Sequence, residues 1–325
     1  MGVLLDVRNL TVRFGVRRKG AAFGPKAFLT AVDNISFSVE RGKTLAIVGE
    51  SGSGKTTAAL ALAQLTSGHV SGEMTLDGNS LVGLDAQGLR AMRQRVQVIF
   101  QDPYSSLNPR KRAKDIVSEP LESLKKISKQ ETETIVDDLF AAVGLRPEQK
   151  ALFPHQFSGG QRQRIGIARA LATRPDVIIC DEPVSALDVA VQAQILNLLR
   201  RLQSDFGLTY VFISHDLGVV QHMCDSVAVM YMGKVVEHAE RIALFSKPRH
   251  PYTKALLASV PSVERTVVQE DRQSIIHGDP PDPLNMPKGC RFRSRCPYAQ
   301  DICAQSDPEL SVLDQAQNVA CHFPL

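Results

Sequence analysis

Residues Gly49–Thr56 read Gly-Glu-Ser-Gly-Ser-Gly-Lys-Thr, a complete G-x-x-x-x-G-K-[ST] pattern. The stretch before it, Thr44–Val48, is short, apolar and rich in β-formers. The stretch after it, Thr56–Leu65, is rich in Ala and Leu and reads as a helix. A strand, a glycine-rich turn and a helix in that order form a phosphate-binding loop. Glycines let backbone N–H groups turn inward around an anion, and the helix start adds partial positive charge. Gly49, Ser51, Gly52 and Gly54 are the predicted loop contacts, and Thr57 follows them onto the helix. Lys55 is placed to reach the β- and γ-phosphates, and the Thr56 hydroxyl to bind Mg²⁺. The loop ties the chain to nucleoside triphosphates, with Mg²⁺ beside their phosphates.

The chain has 325 residues, enough for one large domain or two. Net charge is +4, from 38 basic and 34 acidic residues, too small to point to nucleic acid as a partner. The basic clusters Arg17-Arg18-Lys19 and Arg110-Lys111-Arg112 read as solvated loops. No apolar stretch approaches the roughly 20 residues needed to span a bilayer. The N-terminus meets Asp6 too early for a signal peptide. The expectation is a soluble cytoplasmic chain that reaches a membrane only through partners.

Strands are predicted over Leu5–Val12, Ile35–Val39, Thr44–Val48 and Arg95–Phe100, with a strand and turn at Met74–Gly78. From about 113 to 172 the spacing turns helical, closed in part by Gly144, and this block reads as a helical subdomain. Alternation then returns. Val177–Cys180, Leu208–Ser214, Ser226–Tyr231 and Lys234–Glu237 read as strands, the last two as a hairpin-like pair. Val189–Leu202 and Leu217–Met223 read as helices. The fold class is α/β: a mostly parallel sheet core with an antiparallel β part, a helical subdomain and helices on the sheet's faces. Residues 1–260 form the nucleotide-binding domain. Residues 261–325 form an irregular extension that holds 8 of the 18 prolines and four of the six cysteines. Cys180 and Cys224 read as core residues.

Val177–Cys180 leads into Asp181-Glu182. An acid at the end of a parallel strand beside a phosphate loop can hold Mg²⁺, which is the role of Asp181. Glu182 is then the general base for the attacking water. A second anion site is predicted at Ser158-Gly159-Gly160-Gln161, where a hydroxyl, two glycines and an amide stand at a helix start. A simple helix cap at Ser158 is the plainer alternative.

Taken in order, these motifs resemble the nucleotide-binding subunit of an ABC transporter over roughly residues 3–260. Gln101 at the end of its strand is similar to the Q-loop, Ser158–Gln161 to the signature and Ser185-Ala186-Leu187-Asp188 to the D-loop. His215 is similar to the switch histidine, contacting the γ-phosphate and helping hold the water and Glu182 in line. The resemblance implies an ATPase that works as a head-to-tail dimer, with ATP between the loop of one subunit and the signature of the other. It implies Gln101 as a further catalytic and Mg²⁺-side residue. It implies an adenine-stacking aromatic near the N-terminus, with Phe14 the best match and Phe28 a rival.

Three stretches narrow the branch: Gln101–Pro109, His250–Leu257 and the cysteine tail. Together they resemble the oligopeptide/dipeptide (and nickel) importer subfamily. The Tyr104 form of the first is more similar to the second ATPase of such operons. The resemblance implies a paralogous second ATPase subunit, two transmembrane permease subunits and an extracytoplasmic substrate-binding protein. It also implies a peripheral position on the cytoplasmic face of a bacterial or archaeal inner membrane. Cys290, Cys296, Cys303 and Cys321 suggest zinc or an iron–sulfur cluster in a reducing compartment. The resemblance favours a [4Fe–4S] cluster over zinc as a structural staple. Two other functions stand beside the importer reading. A soluble ABC ATPase acting on DNA or ribosomes usually carries tandem ATPase units or long coiled-coil insertions. A nucleotide-gated scaffold without turnover would be expected to lack Glu182 or His215.

Overall fold

The computed structural model describes residues 2–16, 27–125, 127–259, 278–314 and 317–325. The Arg17-Arg18-Lys19 cluster and the boundary predicted at 260/261 lie outside them. In chain order the strands and helices are β1 (Val3–Val16), β2 (Ala27–Glu40), β3 (Thr44–Val48), α1 (Lys55–Leu62), β4 (His69–Leu76) and β5 (Asn79–Ser80). Then come α2 (Ala86–Arg95), β6 (Val96–Ile99), α3 (Ala113–Leu124), α4 (Lys129–Ala142), α5 (Gly159–Leu171) and β7 (Val177–Asp181). They are followed by α6 (Val189–Phe206), β8 (Thr209–Ser214), α7 (Leu217–Met223), β9 (Ser226–Tyr231), β10 (Lys234–Glu240) and α8 (Arg241–Ser246). The last are α9 (Pro251–Ala258), α10 (Asp301–Gln305), β11 (Ser311–Asp314) and β12 (Gln317–Val319).

The chain divides into two compact units. The first comprises Met1–Leu5, Val39–Thr44 and Thr75–Ile213, and the second Asp6–Ser38, Leu45–Met74 and Ser214–Leu325. In the first, β6, β7 and β8 are parallel neighbours, with Ile99 opposite Cys180 and Asp181 opposite Ile213. Every residue of β7 and β8 is buried, the unbroken apolar pattern of a strand covered on both faces. Cys180 is part of that core. The helical block belongs to this unit. Gly144 ends α4 with a φ of 73°, and its N–H donates to the Ala141 carbonyl at 3.0 Å. Asp176, just before β7, pairs with Arg41 at 3.0 Å and with Arg95 at 2.6 Å. Two arginines thus fix the start of the strand that carries the acids.

In the second unit, β3 runs parallel to β9, with Val48 opposite Val229. Beyond β9 the pairing becomes antiparallel: β9 with β10, β10 with β12, and β12 with β11. The β9–β10 turn is Met232-Gly233, both residues with positive φ, as a two-residue type I′ hairpin requires. The expected parallel core is thus seen in β6–β7–β8 and in β3–β9, and the expected hairpin-like pair is the antiparallel β9–β10. The tail is not irregular throughout, because β12 sets Val319 opposite Glu237 and extends the hairpin. Alternating Gln317 and Val319 are buried there while Asn318 is not. Three residues of such alternation are too few to read as a strand from sequence.

Candidate functional site

The phosphate loop follows β3, whose five residues are all buried. Gly49 has a φ of 151°, and a Cβ on it would stand 2.1 Å from the Met230 carbonyl oxygen. Only glycine lets the loop pass this close to β9. Gly54 is the N-cap of α1 in the left-handed region, and no side chain caps this helix. No acid lies in its first turn, so none of the helix's own opening residues offsets its partial positive charge. Lys55 is buried, and its Nζ donates to the carbonyl oxygens of Gly49 and Glu50, both at 2.8 Å. Thr56 is exposed and Thr57 half-buried; Ser51 and Gly52 are exposed at the loop tip.

Phe14, in β1, is half-buried. Its ring would lie 3.0 Å from a Cβ on Gly68. Phe28 is 66% exposed. His215 is exposed directly after β8. Asp216 beside it caps α7, accepting from Gly218 N–H at 2.8 Å. The histidine thus projects from a fixed junction between strand end and helix start.

Asp181 is buried at the end of β7. Glu182 sits at a φ of 46°, in the left-handed region that residues with side chains adopt uncommonly. Its N–H donates to the Ile213 carbonyl at 3.0 Å, which holds the turn. Gln101 and Glu182, 81 residues apart, meet: Gln101 Nε2 donates to Glu182 Oε2 at 2.9 Å. A neutral donor on this carboxylate orients it without neutralising it.

The signature opens α5. Ser158 Oγ accepts from the Gln161 N–H at 3.4 Å, and Gln161 Oε1 accepts from the Ser158 N–H at 3.0 Å. This is a full capping box. The plainer alternative is therefore realised: Ser158 caps its own helix. Gly159 and Gly160 follow, and a Cβ on Gly160 would come within 2.5 Å of Val191 Cγ1 at the start of α6.

Sequence reasoning missed what ties the stretch after Gln101 to α5. The Arg162 guanidinium lies 3.9 Å from the centroid of the Tyr104 ring. Arg169 Nη1 donates to the Ser106 carbonyl at 2.7 Å. Arginines at 162 and 169 share one helical face, a spacing visible in the sequence, but their partners were not.

Cys290, Cys296, Cys303 and Cys321 are free thiols that line one cavity with His250 and Phe292. Burial raises the Cys290 and Cys296 thiols and pushes Cys321 up to about 11. Among the described residues no group of three or more His, Cys, Asp or Glu side chains is arranged to hold a metal ion. The expected [4Fe–4S] cluster, like zinc in its place, finds no support in this arrangement. Cys224 is buried, as expected for a core residue, and burial raises its thiol strongly. Among the described residues no helix is long and apolar enough to cross a membrane.

Residues 32–185 match the ABC transporter family, and residues 236–303 match the C-terminal region of oligopeptide/dipeptide transporters. The chain is 45% identical to the oligopeptide transport ATP-binding protein AppF of Bacillus subtilis, over 98% of this chain and 97% of that one. It is 46% identical to the dipeptide transport ATP-binding protein DppF of Escherichia coli, over 98% and 93%. Among solved structures it resembles a dimeric ATP-binding cassette in a post-hydrolysis state with ADP and Pi. That likeness has a TM-score of 0.64 at 27% identity, covering 73% of this chain and 99% of the other. The chain belongs to the ABC transporter family, as an ATP-binding subunit of the oligopeptide/dipeptide type.

Proposed function

We propose that this chain is the ATP-hydrolysing, energy-coupling subunit of a multi-subunit membrane importer for di- or oligopeptides or related small solutes. The observation that carries the peptide reading is the similarity, along nearly the whole chain, to ATP-binding proteins of oligopeptide and dipeptide transport. The loop Gly49–Thr56 binds the triphosphate, with Lys55 swinging from its carbonyl partners onto the phosphates. Thr56, Asp181 and Gln101 serve Mg²⁺. Glu182 is the base and His215 the γ-phosphate contact. Phe14 or the more exposed Phe28 stacks on adenine.

Ser158–Gln161 serves the ATP held by a second ATPase subunit, a paralogue in this reading. ATP binding favours the closed pair and hydrolysis releases it, because only differential affinity for the two states can do such work. The stretch Gln101–Pro109 receives a short helix from one of two permease subunits. Its tie to α5 through Tyr104–Arg162 and Arg169–Ser106 supports transmission from that surface to the signature. The assembly lies on the cytoplasmic face of the membrane and is fed by an extracytoplasmic binding protein.

Reconstitution with the permease pair in vesicles tests this. ATP turnover should rise when a peptide-loaded binding protein is added. Stable copurification with ribosomes or DNA, and none with polytopic membrane proteins, would overturn it. An iron–sulfur role for the four cysteines rests on the family resemblance alone. Anaerobic purification with iron and sulfide analysis checks it, and zinc without iron removes it.

A further inference from the structure

A second layer backs the phosphate loop, and all of it belongs to the second unit. Arg295, one residue before Cys296, has a side chain only 8% exposed. It forks onto the carboxylate of Glu50, the second residue of the loop. Nη1 donates to Oε2 at 2.9 Å and Nη2 to Oε1 at 3.2 Å. Two parallel charge-assisted bonds fix orientation as well as distance. The Glu50 N–H donates to the Tyr252 hydroxyl at 2.8 Å. Tyr252 is fully buried, and its ring centroid lies 4.8 Å from Tyr231 and 5.4 Å from Phe292. Phe292 stands between Cys290 and Cys296, so the cysteine segment supplies the back wall of this cluster.

A second strut starts one residue after Cys290. Arg291 donates to the Met232 carbonyl and to the Asp33 carboxylate. The neighbouring Gly233 N–H donates to the Ser53 carbonyl at 2.9 Å. Residues 290–296 thus hold the loop at Glu50 directly and at Ser53 through the β9–β10 turn. The Glu50 carbonyl is also an acceptor of Lys55 Nζ at 2.8 Å. A shift of Glu50 therefore moves the lysine's resting place.

We propose that Arg295 is a positioning residue of the nucleotide site, which holds the phosphate loop in shape for the triphosphate through Glu50. The C-terminal extension is then a working part of ATP binding, and its attachment to the unit is only half of its role. The inference rests on Gly49–Thr56 being the phosphate site.

The test is titration of the full chain with ATP and Mg²⁺, with thermal unfolding followed in parallel. Arg295→Gln and Glu50→Gln are each expected to weaken the Kd for ATP by about tenfold. The double variant is expected to be no worse than either single one, and Arg295→Lys to recover part of the loss. If Arg295→Gln disturbs the cysteine segment too far to fold, Glu50→Gln carries the test from the loop side. An unchanged Kd in the single variants, with only the unfolding midpoint lowered, would make the contact a mere attachment. Additive losses in the double variant would also overturn the proposal. Lys55→Ala separates the two readings. If it leaves ATP affinity intact, the phosphate-site assignment itself has failed.

Discussion

The two compact units each carry a glycine-rich helix start, and the two are built in opposite ways. In the second unit, α1 begins at a left-handed Gly54 with no side-chain cap and no acid in its first turn. In the first unit, α5 begins at Ser158 with a capping box that closes on itself. The first build leaves the shaping of the helix end to backbone and ligand. The second satisfies its terminal donors from its own side chains, as an isolated helix prefers. The difference teaches what each start must give up to hold an anion. In the proposed function the loop must release Lys55 from its carbonyl partners, whereas the signature must trade its side-chain cap for an external phosphate.

Four measurements would break or sharpen that contrast. The largest effect is expected from Glu182→Gln, which lies in the unit of the self-capped helix. Turnover should fall by about a thousandfold with ATP still bound, since the base is lost and the phosphate contacts are not. Turnover at the original rate would remove Glu182 from its role. Lys55→Ala strikes the open start. ATP affinity should drop by about a hundredfold, the scale of a charge-assisted contact, while the folded state persists.

The third concerns pH. His250 is buried, and burial pushes its imidazole down to about 3. Its Nδ1 accepts the Tyr252 N–H at 3.0 Å, which needs the neutral ring. A base with a lowered folded pKa contributes stability that is present above its unfolded value of 6.5 and lost as pH falls toward 3. Between those limits stability should fall by about 1 kcal/mol per pH unit. The slope should flatten in His250→Asn, and equal slopes in the two proteins would exclude the histidine as its source. The smallest effect is expected from Ser158→Ala, about 1 kcal/mol of helix stability. ATP affinity of the lone chain should not change, while ATP-driven pairing weakens. Weakened ATP binding by the single chain would erase the contrast between the two starts.

Much of the fold was legible because it is local. Thr44–Val48 and Leu217–Met223 are found with the predicted bounds, the first apolar throughout and the second capped by Asp216. The helix α2 escaped notice. Its polar sequence shows one fully buried residue, Met92, and a helix that buries so little leaves a faint periodic signal. The strands β11 and β12 escaped because they are short: β12 takes its pairing from β10, some 80 residues earlier in the chain, and β11 adds only to β12. The site was legible in its parts: loop, acids, signature and histidine are contiguous motifs. The bond between Gln101 and Glu182 is not, since it closes across 81 residues.

The sequence by itself determined the phosphate loop, the signature and acid motifs, the ABC-transporter family they mark, and that cysteines gather in the tail. Those are statements about short stretches whose chemistry follows from residue type and spacing. Only the tertiary structure decided that the tail turns back to the phosphate loop through Arg295, and that Ser158 closes on its own helix. A long-range ion pair leaves no period in the sequence. A serine, two glycines and a glutamine spell a cap and an anion site alike, so coordinates alone can tell which hydrogen bonds are made.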